Sequence, residues 1–530
     1  MRRFWAVARV TFLECLRTRV VIVFLVLLAV CVLAMALTME GDGTLKGRIQ
    51  TFLAYSTGLT QLLLSLVTVL LATGVVAGDI RHKYVLIVVS KPLPRWQYVL
   101  GRWVGIALLD AVLVGLAMGS IYGLSQYLRA RQTNVEQKKL LGQLPQRAGD
   151  LDRLAVDSEV FTARTMKQAE PFDVGDQVEV RFRRLVEERR LDAVIESRIR
   201  RELESERVKS RSEDPLDVKE IERRLQDART RQRMVVEIKA DLKKEAVEER
   251  QLVVPGEGLT LTFKGLKPPK GWKEPLQLRY RLHPMHTPES RTLKSFWNVF
   301  NPKTGEGRLP WNFKDDSAEA VSSFLFSPKA VAEDGELKVE YWNVPRPGFI
   351  TSVKVKAEEV NVLYRVGSFE GNVVRAGVLI LLGLMFLAAA GVLFAVFLSF
   401  PIACLACMIV FAIAMMSGFI HDATRLNTQT EKEPTAMDYF SHGVTQVAFF
   451  FLPSLSESSP GAALVDGMNI PFRQVLRESL VMIQRPGDDS TGLWRKLGFE
   501  VQAGAGLRAW LCLGLGCLIF WRRELARVQV

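Results

Sequence analysis

Asp110 is a lone carboxylate inside the otherwise uncharged run 103–127. A charge at the centre of an apolar helix costs about 2.5–3.5 kcal/mol on insertion scales, so it marks either a function or a held partner. Two roles fit: lining a polar path, or pairing with Arg522 or Arg523 at the end of the last apolar run. Cys404-x-x-Cys407 has the spacing of a redox or metal motif. Its neighbours are Ala, Leu, Met and Ile, which suits small packing residues of an apolar helix better. His283-x-x-His286, with Glu289 nearby, brings metal-ligand types into a proline-containing loop. Trp272, Trp297, Trp311 and Trp342 suit core and rim packing of a β domain, or a sugar-stacking platform. The sequence contains no Gly-x-x-x-x-Gly-Lys-Ser/Thr phosphate cradle, no Gly-x-Ser-x-Gly nucleophile elbow and no His-Glu-x-x-His zinc helix. No catalytic residue or metal site is assigned, and ATP hydrolysis by the chain itself is not expected.

A different chemistry, that of docking, is written between Gly78 and Gly105. Tyr84 to Val89 reads as a short amphipathic helix ended by Lys91-Pro92, and a second helical start follows at Arg95-Trp96. Basic residues surround an aromatic and aliphatic face. Such a surface suits a groove on a partner protein, or a plain interfacial loop.

These groups need elements to hold them, and charge patterning locates the elements. The 530 residues are 48% apolar and 24% charged, with a mean hydropathy of +0.12. That average hides two populations, since residues 181–250 hold 21 Lys/Arg and 18 Asp/Glu while other stretches carry no charge at all. A single soluble domain does not segregate its residues in this way. Residues 20–39, 51–77 and 103–127 each suffice to cross ~30 Å of hydrocarbon. Residues 376–420 supply two further spans with a tight turn at Ser399-Phe400-Pro401, and about 503–521 a weaker sixth. Residues 1–19 read as an interfacial helix with Phe4, Trp5, Ala8, Phe12, Cys15 and Leu16 on one face. A charged lead of nineteen residues suits an anchor better than a cleaved signal, although Ala34-Met35-Ala36 resembles a cleavage site.

Lys/Arg make up 25% of the flanks on the N-terminal side of the membrane and 15% of those opposite. The bias places both termini inside and residues 128–372 outside. The net charge of +13 forms no basic stripe, because the basic residues are mixed with acids or flank apolar runs, and nucleic-acid binding is not expected. All six cysteines lie in or beside apolar stretches, so no disulfide framework is implied.

Between the membrane halves, apolar residues recur at three- and four-residue spacing over 181–249. Phe182, Leu185, Val186, Ile195, Ile199 and Leu203 form one set; Val218, Ile221, Leu225, Met234, Ile238 and Leu242 form the other. A helical hairpin follows, its second helix started by Asp214-Pro215 and its charges paired along each helix. After Pro255-Gly256 the period becomes two, at 259–263, 276–280, 322–326, 337–341 and 350–355, as in a small antiparallel β-sandwich. Residues 159–163 offer one more strand. The predicted fold is thus an α-helical integral membrane protein of six transmembrane helices with an inserted α+β domain. Its parts are 1–127 (spans 1–3), 128–250 (helical), 251–372 (β-sandwich) and 373–530 (spans 4–6, with a re-entrant segment at about 443–455).

One pattern resembles a known family. An acid, basic residues, an aliphatic run, Ser90-Lys91-Pro92-x-x-Arg95-Trp96 and Leu100-Gly101-Arg102-x-x-Gly105 resemble the coupling segment of type-two ABC exporter permeases, among them the nitrous-oxide-reductase maturation permease. Phe520-Trp521-Arg522-Arg523-Glu524-Leu525 resembles their C-terminal ending, and Phe451-Leu452-Pro453-Ser454-Leu455 an element before their last span. The resemblance covers 1–127 and 373–530. It implies a permease subunit in the bacterial inner membrane, homodimeric in the family's manner and driven by a separate ABC ATPase that holds ATP and Mg; this chain itself would bind no cofactor. It also implies that Asp79, Arg81, His82, Tyr84, Lys91, Pro92, Arg95 and Trp96 touch the ATPase. Two departures stand out. Asp79 and His82-Lys83 replace the family's usual Glu and Gly-Thr, and the outer insertion is far larger than the usual short loop, which suggests an envelope protein or glycan as its partner. The competing expectation is a non-transporting membrane scaffold that displays the insertion.

Overall fold

The computed structural model describes residues 2–39, 41, 44–84, 94–130, 153–210, 218–267, 274–286, 292–308, 313–345, 350–417, 419–420, 460–479, 481–484 and 500–522. The chain is mostly helical and divides into two compact units, Met1–Arg164 with Gly367–Val530, and Thr165–Val366.

The first unit opens with helices α1 (Arg2–Leu16), α2 (Arg19–Thr38), α3 (Leu45–Arg81) and α4 (Arg95–Ala130). Thr44 starts α3 by accepting the Gly47 N–H at 2.9 Å. On α1 the buried residues are Ala8, Thr11 and Cys15, whereas Trp5 is 56% exposed and Leu16 43%. The face expected from apolarity is therefore rotated toward a threonine, for reasons that lie in α4. Residues 159–163, read as a strand, are instead the end of a π-helical turn, Val156–Val160, and strand β1 (Ala163–Gln168) begins only at Ala163. That turn belongs to the first unit. Glu159 pairs with Lys46, Asp157 with Arg129 at 2.8 Å, and the Phe161 ring lies 4.7 Å from that of Phe369.

In the second unit the described residues of the charged region form four helices: α5 (Gly175–Glu187), α6 (Leu191–Ser210), α7 (Val218–Gln226) and α8 (Ala228–Gln251). The apolar spacing identifies the contacts, because Ile195, Ile199, Ile221, Met234 and Ile238 share one buried cluster. Two breaks were not anticipated. Arg189 takes a left-handed φ of 54° between α5 and α6, and Asp227 caps α8 by accepting the Thr230 N–H at 3.0 Å. Asp214-Pro215 lies outside the described residues. Charges pair largely between helices rather than along them, as in Arg231–Asp192 at 2.6 Å, Arg233–Glu202 at 2.7 Å and Lys239–Glu179 at 3.2 Å. The acids and bases thus fix helix–helix register as well as solvating the surface.

Eleven described strands precede α9: β1, β2 (Leu252–Val253), β3 (Gly258–Phe263), β4 (Leu276–Arg281), β5 (His283–Pro284), β6 (Thr292–Phe300), β7 (Phe313–Ser317), β8 (Val321–Phe326), β9 (Leu337–Asn343), β10 (Val353–Lys354) and β11 (Asn361–Gly367). They make two four-stranded sheets, ordered β1-β11-β4-β8 and β3-β9-β6-β7, and a small β2-β10-β5 sheet. Both large sheets feed one core around Phe263, Leu278, Tyr280, Trp297, Val339 and Tyr341. Residues 350–355 shrink to the two-residue β10, while β6, β7 and β11 were not expected.

The chain then returns to the first unit through α9 (Phe369–Phe397), α10 (Phe400–Met415), α11 (Pro460–Val465), α12 (Phe472–Ser479), the paired strands β12 (Val481–Gln484) and β13 (Glu500–Ala503), and α13 (Ala505–Arg522). The turn expected at Ser399-Phe400-Pro401 separates α9 from α10, with Pro401 in the first turn of α10. Helix α9 packs against α3, α4 and α13. Five helices, α2, α3, α4, α9 and α13, are long and apolar enough to cross a membrane. Helix α10 has 16 residues, short of the ~20 that a full crossing needs, so the described residues give five candidate spans rather than six. The segment 443–455 lies outside the described residues.

Candidate functional site

The described residues of the segment expected to couple to an ATPase separate into residues that face outward and residues that build a buried junction. Helix α3 ends as the His82 N–H bonds to the Gly78 carbonyl at 2.9 Å and Lys83 turns through a left-handed φ of 59°. Arg81, His82 and Tyr84 are exposed, Tyr84 by 57%, with the His82 and Tyr84 rings 5.9 Å apart. Residues 85–93, including Lys91 and Pro92, lie outside the described residues. Helix α4 begins at Arg95, and Trp96 is 51% exposed. Arg95 is half-buried and donates to the Trp521 carbonyl at 2.8 Å, near the last turn of α13. A cation there complements the negative end of the helix, so Arg95 is a clasp to α13 as well as a surface group.

Asp79 departs from its expected place on the partner-facing surface. It is only 5% exposed and accepts hydrogen bonds from the Tyr98 hydroxyl and the Arg102 guanidinium. Arg102 also pairs with Glu14 at 2.6 Å and donates to Thr11 Oγ1 at 3.2 Å. Tyr98 and Arg102 sit four apart on α4, on one helix face, and so reach the same carboxylate. The close approach of α1 is permitted by glycine. A Cβ on Gly105 would lie 2.5 Å from Thr11 Cβ and 2.6 Å from the Ala8 carbonyl oxygen, and one on Gly101 2.8 Å from Val7 Cγ1. Leu100-Gly101-Arg102-x-x-Gly105 is therefore a helix-docking motif: the glycines admit α1, and the arginine ties α1 to α3. Glu14, Thr11, Tyr98 and Arg102 were missed as site residues. The i,i+4 spacing of Tyr98 and Arg102 was the available signal, but their partners lie on helices distant in sequence.

Asp110 is fully buried and its Oδ1 lies 2.9 Å from Thr68 Oγ1. Its other oxygen has no hydrogen-bond partner among the described residues. The expected pair with Arg522 does not form: Arg522 is exposed at the end of α13, and Arg523 lies outside the described residues. Cys407 is buried in α10, its thiol donating to the Leu387 carbonyl at 3.7 Å, and Cys404 is half-buried beside it, both in apolar packing.

In the second unit, His283 Nε2 meets Glu359 Oε2 at 2.7 Å, and Lys356 reaches the other Glu359 oxygen at 2.9 Å. His286 contributes its backbone N–H to Thr351, and Glu289 lies outside the described residues. Burial raises the Glu359 carboxyl, but the hydrogen bonds from His283 and Lys356 outweigh it and hold the group below its usual range. A depressed carboxyl contributes stability above the ordinary value of about 4.3, and that contribution is lost as pH falls through the lower folded value. The midpoint of thermal unfolding of Glu359→Gln should fall below wild type at pH 7 and converge with it toward pH 3. A gap independent of pH would count against the pair.

The tryptophans part company. Trp297 is the centre of the β core at 0% exposure, its ring 4.1 Å from Tyr280 and 4.8 Å from Tyr341. Trp342 is 43% exposed, and Trp272 and Trp311 lie outside the described residues. A platform that includes Trp297 is excluded. Asp316, unforeseen, is buried beside it and accepts from Tyr280 at 2.7 Å, from Ser295 and from Trp297 Nε1 at 3.4 Å.

Comparison with models of protein families, with curated proteins and with solved structures finds no match.

Proposed function

We propose that the chain is the membrane-embedded subunit of an ABC transporter, an exporter of the type-two class, acting in the bacterial inner membrane as one of two copies. A separate ATPase supplies ATP and Mg and docks on residues 79–101. One observation carries the reading. The residues of the coupling motif divide into a solvent-facing set, Arg81, His82, Tyr84 and Trp96, and a buried set, Asp79, Tyr98, Gly101, Arg102 and Gly105, that joins α1, α3 and α4. A push on the first set reaches three helices at once through the second. Docking thus rests on the exposed residues, and Asp79 serves by fixing their base.

Tyr84→Ala combined with Trp96→Ala tests this, because both rings are exposed and the fold does not depend on them. Two aromatic anchors are worth about 2 kcal/mol or more, roughly a thirtyfold loss of affinity. A tagged wild-type chain purified from its native membranes should bring down a subunit that carries the Gly-x-x-x-x-Gly-Lys-Ser/Thr motif, and the double variant should lose it. Equal recovery from both would remove the proposal's main support.

In the same reading both termini are cytoplasmic, and residues 128–372 face outward, toward an envelope protein or glycan. Ile350, 75% exposed, reports on this. A cysteine introduced there should react with a membrane-impermeant maleimide in intact spheroplasts. Reaction only after lysis would put the inserted unit on the ATPase side.

A further inference from the structure

We propose that Asp110 is a proton-binding site: a neutral carboxylic acid that carries its proton at the contact of α3 and α4. This rests on the membrane placement of those two helices and not on the transporter reading. Thr68 Oγ1 lies 2.8 Å from the Leu64 carbonyl and 2.9 Å from Asp110 Oδ1. A hydroxyl has one proton, and a carbonyl can only accept. If Asp110 were ionised, one Thr68 proton would face two acceptors, and the second carboxylate oxygen, which has no partner among the described residues, would stand bare. A proton on Asp110 resolves both shortages. Oδ1–H donates to Thr68 Oγ1, whose own proton goes to Leu64, and the bare oxygen becomes a neutral carbonyl.

The surroundings supply no countercharge. On α4 the preceding charged residue is Arg102, eight positions or about 12 Å away, and it is occupied by Asp79 and Glu14. From α3 the facing group is Thr68, and from α1 the titratable neighbour within electrostatic reach is the buried Cys15. Helix α9, which packs on both α3 and α4, holds Glu370 and Arg375 in its first two turns and no charge after them, and α2 and α13, which also pack on α4, carry Arg19, Arg508 and Arg522, none of them paired with Asp110. An uncompensated carboxylate shielded from water neutralises by taking up a proton. The proton therefore stays on Asp110 while the α3–α4 contact shields it from water.

Infrared spectroscopy of the full-length protein in nanodiscs at neutral pH reads the proton directly. Wild type should show the C=O stretch of a protonated carboxyl that is absent in Asp110→Asn. Thr68→Val should shift the band to higher frequency, because the acid loses its hydrogen-bond partner. No difference between wild type and Asp110→Asn overturns the proposal, and so does a band that Thr68→Val leaves in place. If Asp110→Asn does not assemble, Asp110→Glu takes its role, and a band that fails to move with the longer side chain is equally fatal.

Discussion

Replacing Arg102 with methionine should be among the most damaging single changes to the first unit, at about 3–5 kcal/mol. The size follows from what is left behind. Asp79, 5% exposed, keeps only the Tyr98 hydroxyl, and Glu14 loses the partner that ties α1 to the bundle. The ion pair itself need not be strongly favourable, since burying two charges costs nearly as much as their attraction returns. Removing both charges should therefore do less harm than removing one. Arg102→Met with Asp79→Leu should regain most of the thermal stability lost by Arg102→Met alone, measured by unfolding in detergent. A double variant no better than the single would mean that Asp79 is not stranded, and the geometry at this junction would be wrong.

Gly105→Leu should release α1 from α4. The added atoms would meet the Ala8 carbonyl and Thr11 Cβ, both fixed to a helix backbone, so neither can move aside without the whole of α1 moving. Overpacking of a tight contact costs about 1–3 kcal/mol when the surroundings can yield, and here the cheaper response is for α1 to leave. Trypsin should then cut at Arg9 and Arg17 at a rate limited only by access, while wild type is protected. Gly105→Ala should give a partial effect. Full protection of the leucine variant would show that α1 is not seated on this glycine.

Much of the architecture was legible because it depends on local pattern. Uncharged runs located α2, α3 and α9, runs broken only by Asp110 and Arg508 located α4 and α13, and Pro401 marked the α9–α10 turn, since hydrocarbon length and proline chemistry act within one segment. Apolar spacing found the residues of the helical cluster, and alternation found β3, β4, β8 and β9. Strands β6 and β7 escaped because inward positions hold Ser295 and Asp316, which are satisfied by each other and by Tyr280, while Phe296 and Phe313 point outward. Alternation fails where polar residues pair inside. The segment 79–101 was legible as a motif, but its internal division was not. Asp79 looks like any other acid beside basic residues until Arg102 is folded back onto it, and α1 looks like a free amphipathic helix until Gly101 and Gly105 receive it. The partner of Asp110 was misread for a related reason: charge attracts attention to Arg522, whereas the group in reach is a threonine on α3.

Strands β1 and β11 are hydrogen-bonded neighbours in one sheet, and they are also where the chain leaves and rejoins the first unit. The insertion of about two hundred residues thus begins and ends on a pair of adjacent strands. A helical bundle that tolerates such a hairpin tolerates almost any length beyond it, as domain insertions do when their termini lie together. The insertion can then change in length without moving apart the two strand ends that join it to the host.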